Sequence, residues 1–502
     1  MAFFTLDPAL QESLDQKTDP ILIILEIADD SGSFIRLPGD ALEKGLFHSY
    51  KDSLGGYCVL AKISFSDKNN LLAGLSGQNR CFRILFSSGD CGLFLQRFTL
   101  QANDKGFIRT RRGGETQIDV TLEDAPSRIK RLGPLRNWEE KQTLTDLVMS
   151  DKSLPESSLL HLIAARAGIL SSEIDCSEVS LPLVYARLTG NPWEELCALA
   201  SSCRALIEGG IDFKLLFSSS PYEEDQAPEE ISTLSRDLFY QLSEEDAGEL
   251  RSNSVRLKWN RPERLEEQVL WEYEEPPVVF DAGMSPSYPF LPAGDRPIQD
   301  ESVPYEALFE VREEYKRLPV LWADQIQNQA AVEAELVFEA DAGGSAGLSI
   351  TDYRSESQKA LLNLSCSQAG SLKNLSIQGR PIVMRAGTAC YLSDEEDIAL
   401  HGLKIRLGES RFFSDAPVTG EDNIIRSHPE DWVRQELSDG LKNRKRYRGK
   451  SELGLFYVKA GALCNLTDDD ESVLCRVEDL LLDYHKSRGL ECQITLLEET
   501  NG

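Results

Sequence analysis

Over the first quarter of this chain apolar residues alternate with polar ones or gather in short β-branched runs. Pro20-Ile21-Leu22-Ile23-Ile24-Leu25-Glu26-Ile27 ends at the turn signal Asp29-Asp30-Ser31-Gly32, and Phe34-Ile35-Arg36-Leu37 reads as the return strand. The same grammar predicts strands over Tyr57–Phe65, Cys81–Phe86, Leu93–Ala102, Phe107–Arg111 and Thr116–Glu123, with turns at Asn103-Asp104-Lys105-Gly106 and Arg112-Gly113-Gly114-Glu115. Short strands at this spacing predict a small barrel or sandwich over residues 1–135.

Between Leu144 and Phe217 the period lengthens. Leu159, Leu160, Ile163, Ala164 and Ala167 share a helical face stopped by Gly168. Leu196, Leu199, Ala200, Cys203 and Leu206 share another, expected to run to Gly209-Gly210. Asn191-Pro192-Trp193-Glu194-Glu195 opens that second helix with Pro near the first helical position and acids in the first turn. Residues 136–250 therefore read as an α+β insert that closes through an acidic linker, Ser218 to Glu230.

Residues 251–415 read as a second barrel-like domain with strands near Ser254–Trp259, Gln268–Tyr273, Tyr305–Val311, Ala334–Phe338, Leu361–Cys366, Leu372–Ile377 and Ile382–Met384. A Pro-rich stretch from Pro276 to Pro304 is expected to cross its surface. Asp394-Glu395-Glu396-Asp397 reads as an acidic turn, followed by a strand over Ile398–Leu407 broken at Gly402. In the last segment, 416–502, Ser427 or Pro429 opens an amphipathic helix with Trp432, Val433, Leu437 and Leu441 on one stripe. The basic run Lys442–Lys450 reads as a helix end and solvated loop, or as a rim for the acids of a neighbouring subunit. Strands are expected over Gly454–Lys459, Leu474–Leu482 and Glu491–Leu497. The fold class is thus mainly β and multidomain: small barrels, an α+β insertion, and a C-terminal β segment with one packed helix.

Composition narrows the function. A chain of 502 residues with 41% apolar and 27% charged residues forms three or four folded domains. Acids outnumber bases 83 to 53, a net charge of −30, which argues against a phosphate-binding surface and specific nucleic-acid recognition. Solubility explains such charge, and so would the lining of a passage through which DNA slides without sticking. The 11 cysteines form no Cys-x-x-Cys pair and sit in apolar runs, so they read as buried free thiols made in a reducing cytoplasm. The first residues lack a basic, apolar leader pattern, and no stretch reaches membrane-spanning length.

The chemistry-bearing motifs are weak. Gly343-Gly344-Ser345-Ala346-Gly347 has the spacing of a nucleophile elbow, but Leu348-Ser349-Ile350-Thr351 after it reads as strand, so it is taken as a loop. The five histidines, at 48, 161, 401, 428 and 485, have no metal-ligand spacing. Neither Asp394–Asp397 nor Asp468–Glu471 has the alternating ligands of a calcium loop. Gly74-Leu75-Ser76-Gly77 lacks the lysine of a phosphate loop. Glu272, Glu274 and Glu275 beside Trp271 and Tyr273 have the aromatic company that a glycan-cleaving pair needs, yet strand alternation accounts for them. Arg109, Arg111 and Arg112 form a second basic cluster. No catalytic, cofactor-binding or metal residue is expected, and no cofactor.

Two stretches carry a family resemblance. Asp397-Ile398-Ala399-Leu400-His401-Gly402-Leu403-Lys404, the helix Glu430–Leu441, and Lys459-Ala460-Gly461-Ala462 follow one another in the order of the distal domain of phage tail hub proteins. His401 replaces an aromatic there, Lys404 an arginine, and Ala462 an aspartate. Ala164-Ala165-Arg166-Ala167-Gly168 followed by Trp193-Glu194-Glu195-Leu196 is similar to the helical module that those hubs insert between barrels. The chain therefore resembles the baseplate-hub, late-control and gene-transfer-agent hub group. That resemblance implies a non-enzymatic structural protein of a phage or prophage tail, with two related barrels per chain. Three copies would form a pseudo-sixfold ring linking the tail tube to the tip around the DNA-exit channel. It implies a homotrimer whose partners are a tail-tube or distal-tail protein and a tip or fibre protein, located in the virion tail and in the host cytoplasm during assembly. Trp193, Gly168, Gly402 and Trp432 are its structural candidates. Two other classes stay open: a tail-tip cell-wall hydrolase, and a carbohydrate- or receptor-binding module using aromatics of Pro276–Pro304.

Overall fold

The computed structural model describes residues 7–15, 20–134, 143–218, 232–272, 390–408 and 412–499 apart from short breaks, and only strand segments between 273 and 389. A short helix, α1 (Pro8–Asp15), buries Leu10. Eight strands follow: β1 (Ile21–Ala28), β2 (Phe34–Arg36), β3 (Leu42–Lys51), β4 (Tyr57–Ser66), β5 (Cys81–Ser88), β6 (Leu95–Ala102), β7 (Ile108–Arg112) and β8 (Glu115–Glu123). Alternation sets their faces: Ile23, Leu25 and Ile27 of β1 point inward with Ile63 and Phe65 of β4 and Ile118, Val120 and Leu122 of β8. A buried aromatic group of Phe47, Phe86, Phe98 and Phe456 fills the centre, with Phe47 and Phe98 stacked at 5.7 Å and Phe86 and Phe456 at 5.2 Å.

After these strands come α2 (Ala125–Leu132), and then, in the stretch expected as the insert, β9 (Thr143–Ser150) and α3 (Leu159–Arg166). It continues through β10 (Ile174–Cys176), β11 (Val179–Arg187), α4 (Pro192–Cys203), β12 (Leu206–Gly209) and β13 (Leu215–Ser218). Gly168 closes α3 with φ +77°, a left-handed conformation that a side chain disfavours. Asn191 caps α4, its side chain accepting from the Glu194 N–H. The expected run of α4 to Gly209 is corrected: the helix stops at Cys203 because Arg204 turns left-handed at φ 52°, and Leu206–Gly209 becomes β12, paired with β13.

Beyond the insert come β14 (Ser232–Ser235), β15 (Gln241–Asp246) and β16 (Ser254–Leu257), then short strand pairs between Asn260 and Ala386. The last stretch holds β17 (Cys390–Ser393), α5 (Glu395–His401), β18 (Ile405–Gly408), α6 (His428–Leu441), β19 (Lys445–Ser451), β20 (Leu463–Asp468), β21 (Glu471–His485) and β22 (Gly489–Glu498).

Three expectations for this stretch are corrected. Asp394 is the N-cap of α5, accepting from the Asp397 N–H at 2.8 Å, so Ile398 and Leu400 are helical and only Ile405–Gly408 is strand. The basic run does not continue as a loop: Lys445–Ser451 is strand β19, held between β15 and β22. Leu455, Phe456 and Val458 form no strand; they are buried turn residues that plug the core. The expected helix is present, with a capping box between Ser427 and Glu430 and with Trp432, Val433 and Leu437 buried.

One sheet of fourteen strands joins the two ends of the chain in the order β15-β19-β22-β21-β3-β4-β8-β6-β5-β1-β2, with β20 and β14 continuing from β21 and β7 lying on β8. The junction is the antiparallel pair β3·β21, registered from Lys44↔His485 to Tyr50↔Asp479. N-terminal and C-terminal strands share one hydrophobic core, where Ile63, Phe65 and Phe82 lie with Val477, Leu480, Cys492 and Ile494. A second core belongs to the insert, and a third holds Val255, Leu257, Phe413 and Trp432 between β16 and α6. Gly343–Gly347, residues 219–231 and the Glu274–Glu275 pair lie outside the described residues, as does the Pro276–Pro304 stretch apart from a strand at Val278–Phe280. Leu348–Glu356, after the first of these, is a strand.

Candidate functional site

Two polar seams flank α4, one towards the large sheet and one towards α6. At the first, the Trp193 indole N–H of α4 donates to Asp52 Oδ2 at 3.0 Å, and Asp52 also accepts from Lys130 of α2. Hydrogen bonds from Lys130 and Trp193 outweigh burial and hold the Asp52 carboxyl below its usual range. Trp193 is buried flat against Gly56, where an added Cβ would meet the ring at 2.5 Å. Only glycine lets the indole approach this closely, which ties the β3–β4 turn to α4. Beside it, buried Asp124 caps α2 by accepting from Ser127 N–H at 2.8 Å and reaches back to Val59 N–H of β4 at 2.9 Å. Burial exceeds those hydrogen bonds and pushes its pKa up to about 7.

The second seam joins α6 to α4. Trp432 Nε1–H donates to Ser201 O at 3.0 Å, His428 Nε2 contacts Ser202 O at 2.8 Å, and His428 Nδ1 accepts from Ser414 N–H at 3.1 Å. This leaves His428 as the neutral tautomer protonated on Nε2, and burial holds its pKa below the usual histidine value. Arg204, at the left-handed end of α4, bonds Gln435 Oε1 at 2.6 Å and pairs with Asp439. A third tie runs from the insert to the C-terminal strands, where Lys459 Nζ meets Glu208 Oε1 at 2.6 Å. Arg476, itself buried, pairs with Glu499 at 2.8 Å and donates to Gly461 O at 2.9 Å.

Of the four predicted structural residues, two lie in these seams. Trp193 and Trp432 are both anchors, one on each side of α4. Gly168 ends α3, and Gly402, with φ +75°, ends α5. Asn253, fully buried, holds that end by donating to Gly402 O at 2.7 Å and Asp397 Oδ2 at 3.0 Å, while accepting from Lys404 N–H at 2.8 Å. Arg251 beside Asp397 depresses that carboxyl. Asp52, Asp124 and His428 gave no sequence signal, since each is a lone polar residue whose partners lie far along the chain.

The histidines are placed apart. His48 faces Asp479 across β3·β21 at 2.8 Å, His161 bonds Ser158 Oγ at 2.8 Å, His401 lies 3.2 Å from Asp397, and His485 contacts Ser487 Oγ at 2.7 Å. Among the described residues no group of three His, Cys, Asp or Glu side chains could hold a metal ion. No described helix is long and apolar enough to cross a membrane. Cys58, Cys197, Cys464, Cys475 and Cys492 are buried free thiols, and burial pushes the Cys197 and Cys475 thiols up to about 12.

On the outside, three cations of β19 pair with acids of the same chain: Lys445 with Glu244 at 2.6 Å, Arg448 with Glu245 at 2.8 Å, and Arg446 with Glu249 and Glu478. Two surfaces stand out among the described residues. One is a cleft of about 230 Å³ on the outer face of β3, β4, β7 and β8, lined by Lys44, Lys62, Lys105 and Asp119. The other is an apolar face with Leu400 78%, Leu407 67%, Leu403 55% and Tyr391 50% exposed.

No protein-family model matches the chain, and no curated protein matches it. Solved structures do. A 43 kDa tail protein of prophage MuSo2 from Shewanella oneidensis has a TM-score of 0.45 at 9% identity, over 95% of this chain and 98% of that one. A tail protein from Neisseria meningitidis has a TM-score of 0.45 at 8% identity, over 96% and 97%. Prophage tail protein gp18 from Listeria monocytogenes has a TM-score of 0.40 at 7% identity, over 96% and 95%. The chain is thus similar, along nearly its whole length, to tail proteins of phages and prophages.

Proposed function

We propose that this chain is a structural component of the distal hub of a phage or prophage tail, linking the tail tube to the tip around the DNA-exit channel. The observation that supports this reading best is the β3·β21 junction, which sets strands from the two ends of the chain side by side in one sheet over one core. Such a junction suits a mechanical frame. It fixes the relative orientation of two strand units with main-chain hydrogen bonds and leaves their outer faces for neighbours.

In this account the first unit is β1–β8, within residues 1–135. The second is composed of β14, β15 and β19–β22, so segment 416–502 completes a unit begun before residue 251. Three copies form a ring, the tail tube or a distal-tail protein sits above it, and a tip or fibre protein sits below. The net charge of −30 repels the DNA backbone from the channel wall. The protein is made in the host cytoplasm and ends in the virion tail.

Antibody raised against the chain and carried on gold, applied to purified particles, tests this. Label is expected at the distal end of the tail, and deletion of the coding sequence is expected to leave no complete tails. Particles without label, with normal tails after deletion, would overturn the proposal.

A further inference from the structure

We propose that the cleft on the outer face of β3, β4, β7 and β8 docks an extended acidic segment of a partner protein, with carboxylates two residues apart meeting Lys44 and Lys62. That the partner is a tail protein rests on the hub reading; the site itself does not.

Strand register builds the cleft. Lys44 of β3 lies opposite Ser64 of β4, and Lys62 of β4 lies opposite Leu46 of β3, so the two lysines are diagonal neighbours. Lys62 lies opposite Thr121 of β8, whose carbonyl accepts from the Asn103 N–H, and the turn after Asn103 brings Lys105 to the same cleft. The volume is about 230 Å³, and three lysines and one acid, Asp119, line it.

The lining is rich in donors. Lys44, Lys62 and Lys105 are exposed and make no ion pair within 4.0 Å among the described residues, whereas Lys445, Arg446 and Arg448 of β19 are each paired. The Asn103 side-chain oxygen is taken by the Lys105 N–H at 3.1 Å, which leaves its NH2 group to donate. Ser64 Oγ accepts from Gln117 at 2.6 Å, so its own proton is available. Carboxylates only accept, and bonds to them from cations are strong.

The geometry favours a peptide over a nucleic-acid strand. Alternate side chains of an extended segment lie about 7 Å apart on one face, close to the diagonal spacing of Lys44 and Lys62, about 7–8 Å. Leu46 and Ile108, 38% and 55% exposed, border the lysines and can cover apolar side chains of a peptide, for which a phosphate chain has no equivalent. The basic area is also short. Asp119 stands between Ser64 and Ile108, and Asp483 lies across Leu46 from Lys62.

Fluorescence anisotropy of the full chain tests the proposal with three labelled probes: a serine–glutamate repeat of six residues with a leucine at each end, the same peptide with glutamine for glutamate, and a single-stranded DNA of twelve nucleotides. The acidic peptide is expected to bind and the glutamine peptide not. K62E/K105E should weaken binding about tenfold or more while keeping the wild-type circular dichroism, K62Q/K105Q should weaken it in the same direction, and I108S should weaken it with no change of charge. K445E on β19 should leave it unchanged. No binding of the acidic peptide, equal binding by K62E/K105E, an equal loss in K445E, or tighter binding of the DNA than of the peptide would overturn the proposal. None of these results alters where gold label falls on a tail, so the hub reading stands or falls separately.

Discussion

The packing of Trp193 against Gly56 gives a stability prediction of defined sign and size. In G56A the new Cβ lies 2.5 Å from Trp193 Cη2, 2.7 Å from Cζ2 and 3.2 Å from Cys197 Sγ, so the indole must move. Overpacking of this kind costs about 1–3 kcal/mol. Displacing the indole also strains its hydrogen bond to the Asp52 carboxylate, and bonds to charged groups contribute about 1.5–3 kcal/mol. The single variant is therefore expected to lose about 2–4 kcal/mol. W193F removes the ring atoms that meet the Cβ, and loses a similar amount through the vacated volume and the missing donor. Because the clash needs both partners, the double variant should be less destabilised than the two singles together, by about 1–3 kcal/mol. Urea unfolding followed by far-ultraviolet circular dichroism gives the free energies, and hydrogen exchange at the β4 and α4 amides localises the effect. Additive effects, or protection lost only far from β4 and α4, would refute the seam described here.

Two pH effects of opposite sign follow from buried groups. Asp124 has its folded pKa raised to about 7, so the folded state holds the proton more tightly and this site's contribution falls as pH rises from about 4 to about 7; D124N should remove that slope, which in full amounts to roughly 4 kcal/mol, from pH-dependent urea melts. His428 has its folded pKa lowered, so its contribution is present above about pH 6.5 and is lost as pH falls; protection factors at the α6 amides, corrected for the intrinsic pH dependence of exchange, should fall at pH 5 relative to pH 7, and unchanged protection would contradict a buried neutral imidazole. At the end of α3, G168A should cost about 1 kcal/mol and G168N less, read by thermal unfolding, because the φ of +77° tolerates asparagine better than alanine.

The sequence reading reached furthest where local pattern and tertiary demand agree. The alternation of β1, β4, β5 and β8 and the helical stripes of α3, α4 and α6 were legible because one buried face repeats with the period of the element. It stopped where long-range pairing decides. β19, Lys-Arg-Tyr-Arg-Gly-Lys-Ser, offers a single large apolar side chain, Tyr447, and is a strand because β15 and β22 flank it and Glu244, Glu245 and Glu478 neutralise its cations. In α5, Ile398 and Leu400 are spaced as in a strand, but the cap at Asp394 and three acids in the first turn favour helix. β3 is hard to see in the sequence because its inward face past Leu42 offers Gly45, Phe47 and Ser49, a single large apolar side chain, yet it is the strand that joins the two ends of the chain. Of the candidate site, the two tryptophans were legible, while their acceptors, Asp52 and the Ser201 carbonyl, depend on the fold alone.

The central claim is that one sheet holding strands from both ends of the chain exists to set two barrel units side by side in a ring. Electron microscopy of the purified full-length chain tests it most directly: the account predicts a closed ring of three copies with six barrel-sized lobes around an open channel. Isolated single copies, or a closed assembly with no channel, would contradict it.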